Sequence, residues 1–348
     1  MNPPVRNKVS QCCLVLACAG LARAAGEASS PTTIFAPAST PAKSIHDLAL
    51  LILLVTGAIF VVVCGMLAYA AIKFRSRSRD DRQEPLQIYG SDQLELAWTV
   101  IPVLIVIVLF MTSARVIHAV QDAGQPAGTV EVTVIGHQFW WEYRYPKYGF
   151  VTANELHVPV SEPSHPVPTW LQLLSADTDH SFWVPRLGGK TDLIPNHPNS
   201  MWIDPHETGL FLGQCAQYCG TQHAKMLLRV VVDSQADFDV WARAQQQPAK
   251  QDASLSPKAG EGRRVFNRTA CINCHTISGS VANGRFGPDL THLMGRATIG
   301  SGVIENNGEN LRAWIQNPAR FKPGVLMPAM NLTDGELDSV TAYMQTLR

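Results

Sequence analysis

Cys215-Ala-Gln-Tyr-Cys219-Gly-Thr-Gln-His223-Ala-Lys-Met226 sets two thiols, an imidazole and a thioether in one short loop. Soft donors of this kind select copper over hard cations. A single copper ion needs one thiolate. Two cysteines placed together can bridge two ions and spread one electron over both, so the geometry changes little as the charge changes. Such a site carries electrons and does not bind substrate. A second imidazole is still required, and His180, in Asp177-Thr-Asp-His180-Ser-Phe-Trp-Val-Pro185, is the candidate. The competing reading is a Cys215–Cys219 disulfide beside a surface histidine. It gives no reason for a His and a Met at these offsets.

The loop sits in a strand-rich segment. Val130, Val132 and Val134 alternate with Glu131, Thr133 and Ile135, the period of a half-buried strand. Trp170 to Leu174 and Leu227 to Val232 read as further strands, with Pro and Gly between them. Residues 129–236 are therefore predicted to form a β-sandwich or barrel.

Upstream the chain turns apolar. Arg6 and Lys8, the run Cys12 to Leu21 and the pattern Ala22-Arg23-Ala24 predict a signal peptide over 1–24. Ala49 to Ile72 carries no charge over about 24 residues, and Leu96 to Ala114 none over about 19, each enough to cross a bilayer. Transmembrane helices are expected over 45–73 and 95–118, the second with Pro102 near its start. Two buried core helices are the alternative, but charge-free runs this long are rare in soluble folds. The loop over 74–94, with Lys73 just before it, holds Arg75, Arg77, Arg79 and Arg82, which keeps it in the cytoplasm. Everything after Val120 then faces the other side, the periplasm in a bacterium. With 28 basic and 28 acidic residues the formal net charge is zero, which argues against nucleic-acid binding.

Downstream, Ala244 to Pro257 is rich in Gln, Ala and Pro without an apolar period, and 237–257 reads as a flexible tether. A small all-α domain is expected over 258–348. Ser256-Pro257 opens a helix, Glu309 to Gln316 forms another that stops before Pro318, and the capping box Thr333-Asp334-Gly335-Glu336 opens a last one to Leu347. Within it Cys271-Ile-Asn-Cys274-His275 is the attachment motif of a c-type haem, with half of a zinc site as the rival reading. Haem iron then needs a sixth ligand, and a methionine raises the potential to suit an electron carrier. Met327 and Met330, in Lys322-Pro-Gly-Val-Leu-Met327-Pro-Ala-Met330, are candidates, with His292 and Met294 behind them. No acid–base or nucleophilic constellation is present.

The loop, His180-Ser-Phe-Trp-Val-Pro185, Gly188-Gly189-Lys190-Thr191-Asp192 and the two preceding apolar helices resemble cytochrome oxidase subunit II, from about Leu48 to Val232. Gly287-Pro288-Asp289-Leu290, then Pro-Gly and Met327-Pro before a final helix, is similar to a class I cytochrome c. The resemblance implies a cupredoxin-type β-barrel holding the dinuclear copper centre CuA. In it Cys215 and Cys219 bridge, His180 and His223 bind terminally, Met226 binds one copper and the main-chain carbonyl of Gln217 the other. It implies haem c joined to Cys271 and Cys274, with His275 and Met327 as axial ligands. The chain would then be the electron-receiving subunit of a caa-type oxidase. Electrons would pass from an external cytochrome c through haem c and CuA to the haem–copper subunit I, which reduces dioxygen to water and pumps protons. Subunit III would lie beside them in the bacterial inner membrane.

Three positions depart from the family. Gln217 replaces the usual Glu and removes a carboxylate that helps hold magnesium. In Gly136-His-Gln-Phe-Trp-Trp-Glu-Tyr143, Phe139 replaces the tryptophan that receives electrons from a docked cytochrome c, and Arg144 stands where many members place an acid. Phe139, Trp140 and Trp141 are electron-transfer candidates, although barrel packing explains such a cluster equally well. Glu95 stands where the family has a glutamate at the mouth of a proton-uptake channel; the bland reading is a solvated charge at a helix end. Rival functions are another CuA-dependent reductase, for nitric or nitrous oxide, and a stand-alone carrier or sensor. The membrane hairpin and Glu95 favour the oxidase.

Overall fold

The computed structural model describes residues 30–75, 87, 89–121, 124–125, 128–162, 166–249 and 255–348. The expected signal peptide and most of the loop over 74–94 lie outside them. Helix α1 (Thr40–Lys73) and helix α2 (Asp92–Gln121) are the two charge-poor segments, each starting a few residues before its expected bound. No part of their most apolar windows is buried inside the protein, which suits helices covered by lipid or partner subunits. Both are tied to the β-domain at one end. The carboxylate of Asp204 accepts hydrogen bonds from Ser39 Oγ (2.9 Å) and the Thr40 amide (2.7 Å), capping the start of α1. Trp202 Nε1 donates to the carbonyl of Val120 (3.0 Å), near the end of α2.

Ten strands then form two five-stranded sheets. The first runs β3 (Phe150–Ala153), β2 (Trp140–Tyr145), β1 (Val130–His137), β5 (Thr169–Ser175), β8 (Asn199–Ile203). The second runs β4 (Glu155–Pro159), β10 (Leu227–Asp233), β9 (Gly209–Cys215), β6 (His180–Trp183), β7 (Thr191–Leu193). The pairs β1–β5 and β4–β10 are parallel and the others antiparallel. This is a cupredoxin-like sandwich, and its core is filled by Val132, Val134, Trp141, Tyr143, Leu171, Leu173, Phe182 and Val230. Strand β1 is not half-buried as its alternation suggests. It lies mid-sheet, and Thr133 is covered while its hydroxyl donates to Gln172 (3.3 Å).

The expected tether over 237–257 is corrected in its first part. Residues Gln235–Gln245 form helix α3, capped by Ser234, whose hydroxyl accepts from the Asp237 amide. Phe238 and Ala242 are buried, and Trp241 packs edge-on against Tyr145 and Phe150. Positions 238, 241 and 242 recur at helical spacing, so an apolar stripe docks this segment on the sandwich. Beyond it, Ala249 is buried in the C-terminal core and donates its amide to Ser278.

The C-terminal domain holds α4 (Pro257–Arg268), the short α5 (Cys271–Cys274), the ribbon β11 (Thr298–Ile299) and β12 (Ile304–Glu305), α6 (Gly308–Gln316) and α7 (Asp334–Met344). The capping box at Thr333 and Glu336 is present. Helices α4 and α7 cross closely, because a Cβ on Gly262 would stand 1.8 Å from the Ser339 carbonyl oxygen. Val265, Phe266, Leu311, Leu337, Val340, Tyr343 and Leu347 fill a second core, separate from the first.

Candidate metal and haem centres

Strand β9 ends at Cys215 and β6 begins at His180, neighbours in one sheet. The loop after Cys215 folds back through a 3₁₀ turn, His223–Lys225, and is closed by a hydrogen bond from the Cys215 amide to the Met226 carbonyl. That brings all six expected donors together. Cys215 Sγ lies 3.9 Å from Cys219 Sγ, 3.9 Å from His180 Nδ1 and 3.2 Å from the Gln217 carbonyl oxygen. Cys219 Sγ lies 3.8 Å from His223 Nδ1 and 3.9 Å from Met226 Sδ. Both cysteines are free, which removes the disulfide reading. Two buried thiols, two imidazole nitrogens, one thioether and one carbonyl suit a pair of soft ions.

The surroundings prepare these donors. A carboxylate can only accept, so the 2.8 Å contact of His180 Nε2 with Asp177 makes Nε2 the donor and leaves the Nδ1 lone pair facing Cys215. Asp177 also accepts from the Gln138 amide (2.6 Å). The thiol pair shares one proton tightly. Hydrogen bonding to Cys219, against the cost of burial, pulls Cys215 well below the usual thiol range, and the same bond with burial pushes Cys219 up. One thiolate therefore forms readily, and metal must displace the second proton.

Gly136 on β1 lets the His180 ring lie against it, since a Cβ there would meet the ring at 2.7 Å. Gly136→Ala should therefore tilt the ring and lower copper affinity about tenfold or more, the range for changes behind a ligand. Copper per chain after dialysis against a chelator checks this. Wild-type retention would mean that the ring moves freely.

The aromatic candidates divide. Trp141 is fully buried and edge-on to His180, with ring centroids 6.0 Å apart. The Phe139 ring lies by Gly220, where a Cβ would stand 3.1 Å from it, next to Cys219. Trp140 stacks on His137 at 4.2 Å. His137 Nε2 contacts Glu142 (3.0 Å), whose other oxygen accepts from Arg144 Nε (2.5 Å), so the charge of Arg144 has a buried partner.

In the C-terminal domain, Cys271, Cys274 and His275 line one wall of a cleft, and Met327 and Met330 also line it. Its lining is mostly apolar with a few converging donors, the make-up of a cofactor site. Pro288 offers only a carbonyl, so His275 Nδ1 is the donor at 2.7 Å and Nε2 keeps its lone pair for iron. Burial pushes the His275 pKa down, which holds the ring neutral. His292 does not reach the cleft; its Nε2 contacts the Gln247 carbonyl (3.0 Å), and Met294 packs in the core. The thiols and the neutral imidazole fit a covalently attached haem.

The cleft's remaining wall includes Phe139 and Trp140 of the copper domain. Glu95 is far from both centres. It is exposed in the first turn of α2, and at about 1.5 Å per residue roughly 37 Å of helix separates it from Val120.

Comparison with known families agrees with this architecture. The transmembrane domain of cytochrome c oxidase subunit II matches residues 28–116, its periplasmic domain residues 130–234, and cytochrome c residues 259–348. Cytochrome c oxidase subunit 2 of Alkalihalophilus pseudofirmus is 33% identical over 321 residues, 91% of each chain. The subunit 2 of a Bacillus species is 35% identical over 79% of this chain and 80% of its own. That of Bacillus subtilis is 30% identical over 90% of both. Each is a subunit of an oxidase complex, so copper, haem and a haem–copper partner subunit come with the family. The chain belongs to the cytochrome c oxidase subunit II family and carries a cytochrome c domain fused behind the copper domain.

Proposed function

We propose that this chain is the electron-receiving subunit of a respiratory caa-type oxidase in the bacterial inner membrane, with both globular domains in the periplasm. Residues 1–24 serve as its signal peptide and α1 and α2 as its two spans. When bound, a dinuclear copper centre and a haem c each take up and release one electron, so that electrons from an external cytochrome c cross this chain to subunit I, where dioxygen becomes water. The thiols of Cys215 and Cys219, the imidazoles of His180 and His223, the Met226 thioether and the Gln217 carbonyl would hold the copper ions. Cys271 and Cys274 would attach the haem, and His275 and Met327 would ligate its iron. Subunits I and III lie against the exposed apolar faces of α1 and α2, and Glu95 opens a proton path into subunit I from the cytoplasmic side.

One observation carries this reading. The cleft holding Cys271, Cys274 and His275 is walled by Phe139 and Trp140, and Phe139 also abuts the Cys219 loop. Two redox sites that share a wall form a relay.

The test uses the complex purified from membranes. Acid–acetone should leave haem on this chain, and Met327→Ala should remove the sulfur-to-iron absorption band. Haem in the organic phase would count against covalent attachment. Loss of the band only in Met330→Ala would move the axial role to Met330.

A further inference from the structure

The two globular domains meet through groups that an ordinary loop contact does not need. Glu155, on β4 of the copper domain, is 4% exposed. Its carboxylate accepts from the amides of Ala297 (2.9 Å) and Thr298 (3.0 Å) and from the Thr298 hydroxyl (3.0 Å), all in the cytochrome domain. Arg229 of β10 balances the charge from the copper-domain side at 3.3 Å. Lys322, from the cytochrome domain, is 2% exposed. Its Nζ donates to the Phe139 carbonyl of the copper domain (2.7 Å) and to the Gly300 carbonyl (3.1 Å). Lys225 Nζ reaches the Phe321 carbonyl (2.7 Å), and the Ser301 hydroxyl donates to the Leu227 carbonyl (3.1 Å).

A buried carboxylate or amine is costly unless it is hydrogen-bonded, so each holds its partners in one arrangement. The held partners matter here. Lys322 grips the backbone of Phe139, which lines the haem cleft, and Lys322 begins the segment that ends at Met327 and Met330. Glu155 grips the ribbon at Thr298, two residues before Gly300.

We propose that Glu155 and Lys322 are positioning residues that clamp the cytochrome domain onto the copper domain, so that transfer between the two centres occurs in one fixed geometry and not by a swinging tether. This rests on the relay reading above. In the step concerned one electron leaves ferrous haem iron and one arrives at the oxidised copper pair. No bond forms or breaks, and no proton moves. A clamp works because transfer falls steeply with distance and a small displacement is enough to slow it.

The experiment uses the full complex. Haem c is photoreduced and the copper band is followed in wild type, Glu155→Ala, Glu155→Gln, Lys322→Met and Lys322→Arg. Hydrogen exchange at Ala297 and Thr298 is read in parallel. Glu155→Ala and Lys322→Met should each slow the transfer about tenfold or more, a cost typical of misplacement. They should make it viscosity-dependent, and Glu155→Ala should expose the two amides to exchange. Glu155→Gln keeps one acceptor and Lys322→Arg keeps a long donor, so each should recover part of the rate. Copper and haem spectra unchanged across the set show that the centres themselves are intact. Wild-type transfer rates with protected amides in Glu155→Ala and Lys322→Met overturn the clamp. No transfer from haem to copper in wild type would instead sink the relay reading.

Discussion

Cys219→Ser should abolish the dinuclear copper signal. Cys219 Sγ stands between Cys215 Sγ (3.9 Å), His223 Nδ1 (3.8 Å) and Met226 Sδ (3.9 Å), so it is the hub of one half of the cluster. Serine there offers a hard oxygen that does not ionise at neutral pH, and soft copper is held poorly by it. The remaining donors, Cys215, His180 and the Gln217 carbonyl, surround a single ion. Wild type should give the seven-line EPR pattern of one unpaired electron shared over two copper nuclei. The variant should give a four-line pattern or none, with oxygen consumption falling to background. A four-line signal from the wild-type protein would rule out the paired site altogether. Because Cys219 also sits by Gly220 and the Phe139 wall, near-UV circular dichroism should accompany the measurement to show that the sandwich persists.

Much of this architecture is legible in the sequence because its strongest signals are local. Five of the copper donors lie within twelve residues, and the haem motif within five. The spans announce themselves by the absence of charge, and caps at Ser256 and Thr333 mark helices at their first turn. His180 needed the loop to be recognised, since a lone histidine is ambiguous. Sheet pairing is what explains it: β6 lies beside β9.

The residues that escape the sequence act across long separations. Asp177 is the exception, three positions from His180, and its spacing could have pointed to it as the group that fixes the imidazole. Glu155 bonds Ala297 and Thr298 across more than a hundred positions, and no motif marks it. Lys322 lies five positions before Met327, but nothing local says that its Nζ turns into the other domain. The helical stripe at Phe238, Trp241 and Ala242 lay in a segment dominated by polar composition, and tertiary packing decided it. The expected tether is therefore shorter than composition suggests, and the domains it joins are in contact.

That contact sharpens how electrons should arrive. In the family's usual arrangement a soluble cytochrome docks over the aromatic residue at the position of Phe139. Here Phe139 is 7% exposed and Trp140 9% exposed, and both face the cleft of the chain's own cytochrome domain. Arg144, where many relatives carry an acid for docking a basic partner, is paired with Glu142. On the proposed function, an external donor should therefore meet the cytochrome domain first, and reduction of the copper site should proceed only through it. His275→Ala, in the full chain, removes the iron's proximal ligand and keeps the domain over Phe139. It should leave the copper EPR signal in place while turnover from soluble cytochrome c drops by about two orders of magnitude, since the relay's effective concentration is lost. Deleting the chain from Ser256 onward separates occlusion from the missing carrier. It uncovers Phe139 and Trp140, yet Arg144, paired with Glu142, offers no acid to hold a basic donor there and the tethered carrier is gone, so copper reduction should stay slow. Stopped-flow absorbance follows the haem and copper bands separately in all three proteins. If the copper band in His275→Ala is reduced as fast as in wild type, a direct route is open and the cytochrome domain is not the gateway.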